Sequence, residues 1–253
     1  MTTRCGTICG RFLLFAWLAT SSGDFCRLAA DDPATAPATA PAPPPVAKPD
    51  PTRGTISGTV TYRADPNRPW RLSRYYIKRV RTGEVAEAVV ALRGRNLKDQ
   101  ASGGAQTVTI DQKDYQFSPE TTAIRVGDTI KFTNSDGATH NVQSTNELAE
   151  FNVTMAQGGS HSVTFSRAGG TRNFLRIGCV FHSAMQAFIF VFDHPFFAVT
   201  AADGKFRLVN IPPGEYDLEL AHAAGELRWK QHVVVTAGQT QQIDIRLSAD
   251  DKR

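Results

Sequence analysis

From Thr55 onward the chain is written in short runs of β-branched and aromatic residues, each cut off by Gly, Pro, Asn or Asp, and no stretch keeps the apolar period of a helix. That punctuation predicts an all-β fold with no substantial helix. Hydrophobic residues at 41% and charged residues at 21% give 253 residues enough apolar mass for a sizeable core. The mean hydropathy of -0.26 excludes an integral membrane bundle.

The first fifty residues are of another kind. Arg4 and Arg11 precede an apolar run at 12–19 that is too short for a bilayer, which needs about 20 residues. It fits a secretory signal, so residues 1–30 are expected to be a targeting peptide, cleaved after Ala30 or earlier near Gly23. The mature protein is then expected in the periplasm, secreted or on the cell surface, with no integral membrane segment left after signal removal. Loss of Arg4, Arg11, Arg27 and Asp24 takes the formal charge from +4 to +2. So small a charge does not indicate a nucleic-acid partner. Residues 31–53 form a Pro/Ala/Thr tract whose prolines oppose helix and sheet alike, a spacer rather than a fold. Of four cysteines, Cys5, Cys9 and Cys26 fall in the targeting segment. Cys179 is left without an internal disulfide partner in an oxidising compartment, and something is expected to occupy its sulfur.

After the spacer, 54–98 offers strands around Thr55–Tyr62 and Val85–Leu92, too few for a sandwich. A second group lies at 195–248. It holds a strand ending at Thr200, an Asp203-Gly204 turn into Phe206, a Pro212-Pro213-Gly214 turn before Tyr216, and strands at 231–236 and 241–247. Gly54-x-Ile56-x-Gly58-x-Val60, Ala88-x-Val90-x-Leu92, Asp203-Gly204-x-Phe206 and Pro212-Pro213-Gly214-x-Tyr216 together resemble the carboxypeptidase regulatory-like (transthyretin-like, Ig-like) β-sandwich. About a hundred residues separate the halves, the size of a further domain. The expectation is one sandwich, 54–98 plus 195–248, interrupted by another at 104–194.

Within 104–194, Ile124/Val126 and Ile130/Phe132 alternate about Gly127-Asp128, which reads as a hairpin with one buried face. His140 follows a polar turn. Farther on, Leu175, Ile177 and Cys179 share one face of a strand, and Cys179-x2-His182-x2-Met185 occupies a short loop before the run 186–192. A thiolate, an imidazole and a thioether, joined by a distant His140, make the His2Cys set with weak axial Met of a blue-copper centre. Zinc takes a thioether poorly, and calcium and magnesium need oxygen clusters that are absent from this segment. His161, His194, His222 and His232 lack such company and read as surface or turn residues. Phe188, Phe190, Phe192, Phe196 and Phe197 read as packing at the strand and domain junction, with an electron-transfer docking patch as the alternative.

Phe117-x-Pro119, Gly127-Asp128-Thr129, Asn134, His140-Asn141-Val142 and the Cys179–Met185 loop resemble the cupredoxins, the Greek-key blue-copper β-sandwiches. The short spacing from His182 to Met185 is most like that of the amicyanins. The resemblance implies one type 1 copper bound by His140, Cys179 and His182 with Met185 as a longer contact. It implies that Asn141 braces the ligand loop and that the edge of His182 faces solvent. Ser183 stands where a proline often follows the second His, and Ile177 replaces an aromatic residue two places before the Cys. Four protein ligands leave no position for substrate, so the expectation is a one-electron carrier cycling Cu(I)/Cu(II), not an enzyme and without catalytic residues, serving an unidentified redox partner protein. The alternative is a copper-binding or delivery module, or a surface-interaction β protein with a structural metal.

Overall fold

The structure, a computed structural model, describes residues 50–64, 67, 83–100 and 103–251. The expected targeting peptide, most of the spacer and most of the polar stretch before Gly83 lie outside the described residues. Seventeen strands and no α-helix occur among the described residues, so the all-β expectation holds. None of the helical turns there is long and apolar enough to cross a membrane.

The strands form four sheets. The first contains β1 (Gly54–Tyr62), paired with β13 (Lys205–Ile211), β16 (Thr240–Gln242) and β17 (Ile245–Leu247). The second runs in the order β12 (Phe197–Val199), β2 (Val89–Arg93), β14 (Gly214–His222), β15 (Leu227–Val235). Strands from both ends of the chain therefore share both of these sheets. The third runs β5 (Thr121–Arg125), β11 (Gln186–Phe192), β10 (Leu175–Gly178), β7 (His140–Asn146), β8 (Ala149–Met155). The fourth runs β4 (Gln116–Ser118), β3 (Thr107–Lys113), β6 (Thr129–Asn134), β9 (Ser160–Thr164).

Three apolar cores lie between successive sheets, because alternate side chains leave opposite faces of a strand. Ile56, Val60, Leu208 and Ile245 meet Val90, Leu92, Leu218 and Leu220 between the first and second sheets. Ile110, Ile130 and Phe132 meet Ile124, Val142, Leu175, Ile177 and Ile189 between the third and fourth. Between the second and third, Phe188, Phe190 and Phe192 of β11 pack on Val89, Ala91, Ala221 and Ala223. Small residues on one sheet make room for large rings on the other. Strand β11 is thus buried on both faces, with Ala187, Ile189 and Val191 in the adjoining core, which is why it reads as an unbroken apolar run. The junction reading of the phenylalanines holds and the docking-patch alternative falls, since Phe196 is buried in the first core and Phe197 packs on the middle one.

Polar contacts brace both ends of the junction. The Thr121 N–H donates to Glu87 Oε2 at 2.9 Å near the start of β11. At the other end the buried Glu219 accepts from Thr171 Oγ1 at 2.6 Å, with Arg93 and Arg172 at 3.4 Å.

Two expectations need correction. The Gly127-Asp128 segment is not a hairpin: β5 pairs in parallel with β11, while β6 pairs with β3 and β9 in the facing sheet. Gly127, at φ +92°, carries the crossing, and the buried Asp128 carboxylate accepts the N–H groups of Gln106 and Arg125, each at 2.8 Å. His194 and His222 are buried, not on the surface. His222 Nδ1 accepts the Gly225 N–H at 2.9 Å, and burial pushes its pKa down to about 4. A neutral imidazole whose Nδ1 accepts a hydrogen bond can join a core. At the Asp203-Gly204 turn a Cβ on Gly204 would lie 2.5 Å from the Val60 carbonyl oxygen, so only glycine fits.

Candidate metal centre

One end of the facing third and fourth sheets gathers the residues singled out by spacing. His140 opens β7, Cys179 directly follows β10, and His182 and Met185 complete the loop into β11. The loop closes on itself through the Met185 N–H, which donates to the His182 carbonyl at 3.0 Å. Met185 is fully buried in the same apolar cluster as Cys179. Ile177, where an aromatic residue was the expected pattern, is fully buried in that cluster as well, and Ser183 is exposed.

The donor atoms converge. His140 Nδ1 lies 3.1 Å from His182 Nδ1, Cys179 Sγ lies 3.6 Å from His182 Nδ1, and all three atoms fall within 4.8 Å of one another. A first-row ion bound at about 2.0–2.3 Å to each donor requires donor separations of roughly 3–4 Å, so the set is shaped for one small ion. Its mixture of thiolate, imidazole and a neighbouring thioether suits copper in either oxidation state. This is the one such group among the described residues.

Each donor is held by its surroundings. The Asn141 N–H donates to Cys179 Sγ at 3.3 Å and fixes the position of the sulfur. The Asn141 side chain accepts the Val180 N–H at 3.4 Å and donates to Asn152 Oδ1 at 2.7 Å, tying the 179–185 loop to β7 and β8. Asn134 shapes the approach to His140, its Nδ2 donating to the carbonyls of Ala138 and Met155, each at 2.9 Å.

Two residues of the site carry no spacing signal. Asp136 Oδ2 lies 2.6 Å from His140 Nε2. Burial opposes its ionisation, but hydrogen bonds from the Tyr115 N–H, His140 and the Asp114 N–H outweigh that, and its pKa lies below the usual carboxylate range. An ionised Asp136 only accepts, so Nε2 carries the proton and Nδ1 turns a bare lone pair toward the other donors. Tyr115, from the turn between β3 and β4, packs edge-on to both imidazoles at centroid distances of 5.4 Å from His140 and 4.9 Å from His182. Tyr115, Val180 and Phe181 are each 54% exposed and surround the partly exposed His182 with an apolar rim. Among the remaining histidines, His232 is exposed, 3.8 Å from Glu215 and Asp217, and His161 is half-buried against Phe151; neither approaches the cluster.

Residues 105–192 match the copper binding proteins of the plastocyanin/azurin family, and residues 186–248 match the carboxypeptidase regulatory-like domain. The two matches overlap over 186–192, the whole of β11. No curated protein matches the chain. Among solved structures, a Cu-containing nitrite reductase from Thermus scotoductus is 23% identical over 34% of this chain and 22% of its own, with a TM-score of 0.31. The chain therefore spans about a fifth of that reductase. Amicyanin from Paracoccus versutus is 18% identical over 40% of this chain and 96% of its own, with a TM-score of 0.30. A reduced mutant of amicyanin is 20% identical over 40% of this chain and 97% of its own, also at 0.30.

Proposed function

Since the chain carries a cupredoxin domain of the plastocyanin/azurin family, we propose that it is an exported one-electron carrier, not an enzyme. His140, Cys179 and His182 would hold its metal, with Met185 as a weaker thioether donor. The convergence of one sulfur and two nitrogen donors within 4.8 Å carries this reading. Copper bound there supplies reversible one-electron chemistry. The chain's own residues do the rest. Asn141 positions the sulfur, Asp136 fixes the tautomer of His140, and the rim of Tyr115, Val180 and Phe181 offers a redox partner an apolar face around His182. Four protein donors leave no position for a substrate.

In this reading the cupredoxin unit, 104–194, is inserted into a carboxypeptidase regulatory-like sandwich made of 54–98 and 195–248. The pairing of β1 with β13 and of β2 with β12 and β14 supports the insertion. The charged and apolar pattern of 1–30 supports export to the periplasm, cell surface or medium.

A visible spectrum of the chain lacking residues 1–30, loaded with Cu(II), tests the function. The expected result is an intense thiolate-to-copper band that bleaches with ascorbate and returns on reoxidation. Copper bound without that band points instead to a delivery module or a structural metal. No copper binding overturns the assignment.

A further inference from the structure

Asp114 and Tyr115 both adopt left-handed backbone conformations, at φ +52° and +59°, which side-chain-bearing residues rarely adopt. Asp136 holds that turn. Its Oδ1 accepts the Asp114 N–H at 2.7 Å and its Oδ2 accepts the Tyr115 N–H at 3.0 Å, while the same Oδ2 is hydrogen-bonded to His140 Nε2 at 2.6 Å. One carboxylate therefore sets a ligand and a neighbouring ring together. The ring lies at 88° to the His140 plane and 85° to the His182 plane, reaching both imidazoles at once. Core packing does not account for this placement, because Tyr115 stays 54% exposed while His140 beneath it is fully buried. The turn forgoes burial of a large aromatic residue in order to set its ring against both imidazoles.

We propose that Tyr115 is a fixed shutter over the outer side of the two imidazoles, positioned by Asp136, and that it keeps small anions and water from the metal. The inference rests on the reading of His140, Cys179 and His182 as ligands. With the shutter in place the centre exchanges electrons and admits no external ligand; with it removed, the gap between the imidazoles opens to species the size of azide.

The test compares wild type, Tyr115→Phe, Tyr115→Ala and Asp136→Ala in the full mature chain, since the exposed Tyr115 contributes little to folding. With Cu(II) bound, sodium azide is titrated against the visible and electron paramagnetic resonance spectra. Wild type and Tyr115→Phe should remain unchanged. Tyr115→Ala and Asp136→Ala should gain an azide-to-copper band, with affinity raised at least about tenfold. In parallel the metal-free proteins are treated with diethyl pyrocarbonate and the modification rate of His182 is read by mass spectrometry. Tyr115→Ala should react several-fold faster than wild type and Tyr115→Phe no faster. A Tyr115→Ala protein that ignores azide and modifies at the wild-type rate overturns the shutter. An Asp136→Ala protein that stays closed overturns the role given to Asp136. A wild type without a thiolate band defeats the blue-copper reading instead, and the metal-free comparison still decides on the shutter.

Discussion

Replacing Phe190 by Ala should separate two structural halves that otherwise unfold together. The ring is fully buried between the second and third sheets, flanked by Phe188 and Phe192 and faced by alanines too small to refill the space. Phe→Ala in such a site costs about 3–5 kcal/mol, and the poor prospects for collapse place this case near the middle, at about 4 kcal/mol. For a unit of this size each kcal/mol lowers Tm by about 2–4 °C, so a fall of about 8–16 °C is expected. Thermal unfolding of the copper-loaded protein should be followed by two probes. The thiolate-to-copper absorption reports on the third and fourth sheets, and tryptophan fluorescence, to which Trp229 of β15 contributes, reports on the second. In wild type the two transitions should coincide; in Phe190→Ala they should part. Ile189→Ala, one residue away on the opposite face, is the control, because it damages the core between the third and fourth sheets and should take the copper band down first. A Phe190→Ala protein within about 1 kcal/mol of wild type, or one whose two transitions still coincide, would refute the claim that this core joins the halves.

Other expectations concern the site and its surroundings. Cys179→Ser should abolish the thiolate-to-copper band while circular dichroism of the metal-free protein stays that of a folded β-sandwich; a retained band sinks the ligand assignment. Asp136→Asn should weaken copper binding by about 10–100-fold in competition with a chelator, the usual loss when the partner of a ligating His is removed. His222 gives a pH dependence of defined sign. Its folded pKa of about 4 lies below the ordinary unfolded value of about 6.5, so in that window the unfolded chain binds a proton that the folded one does not. Stability should fall as pH drops from about 6.5 to about 4, by about 3 kcal/mol, and change no further from this cause below it. Urea titrations of wild type and His222→Gln across that range should differ by this slope, and parallel curves would count against it.

How much was legible in advance differs residue by residue. The grouping of Cys179 and His182 with His140 was legible because the first two sit at short fixed spacing on one loop and their chemistry asks for a further imidazole. Asp136 and Tyr115 were not, since they meet the site from turns whose positions depend on the facing sheet. The Gly127-Asp128 error has a similar cause. Period-two alternation states which side chains face a core, and strands in one sheet or in two facing sheets share that pattern. His194 and His222 were misplaced because polar residues default to the surface. Net charge also averages away local detail: Arg63, Arg68, Arg71, Arg74, Lys78, Arg79 and Arg81 fall close together within a chain whose sum is only +4.

The connections between the two pairs of sheets bear on motion. The chain passes from β2 to β3 and returns from β11 to β12, so two covalent strands, not one, join the halves. A single connection can act as a hinge, whereas two connections on either side of a packed phenylalanine layer resist both swinging and twisting. The pair should tumble as one rigid rotor, which residual dipolar couplings or fluorescence anisotropy can measure. Whatever docks on the His182 face then meets it in one fixed orientation relative to the first and second sheets.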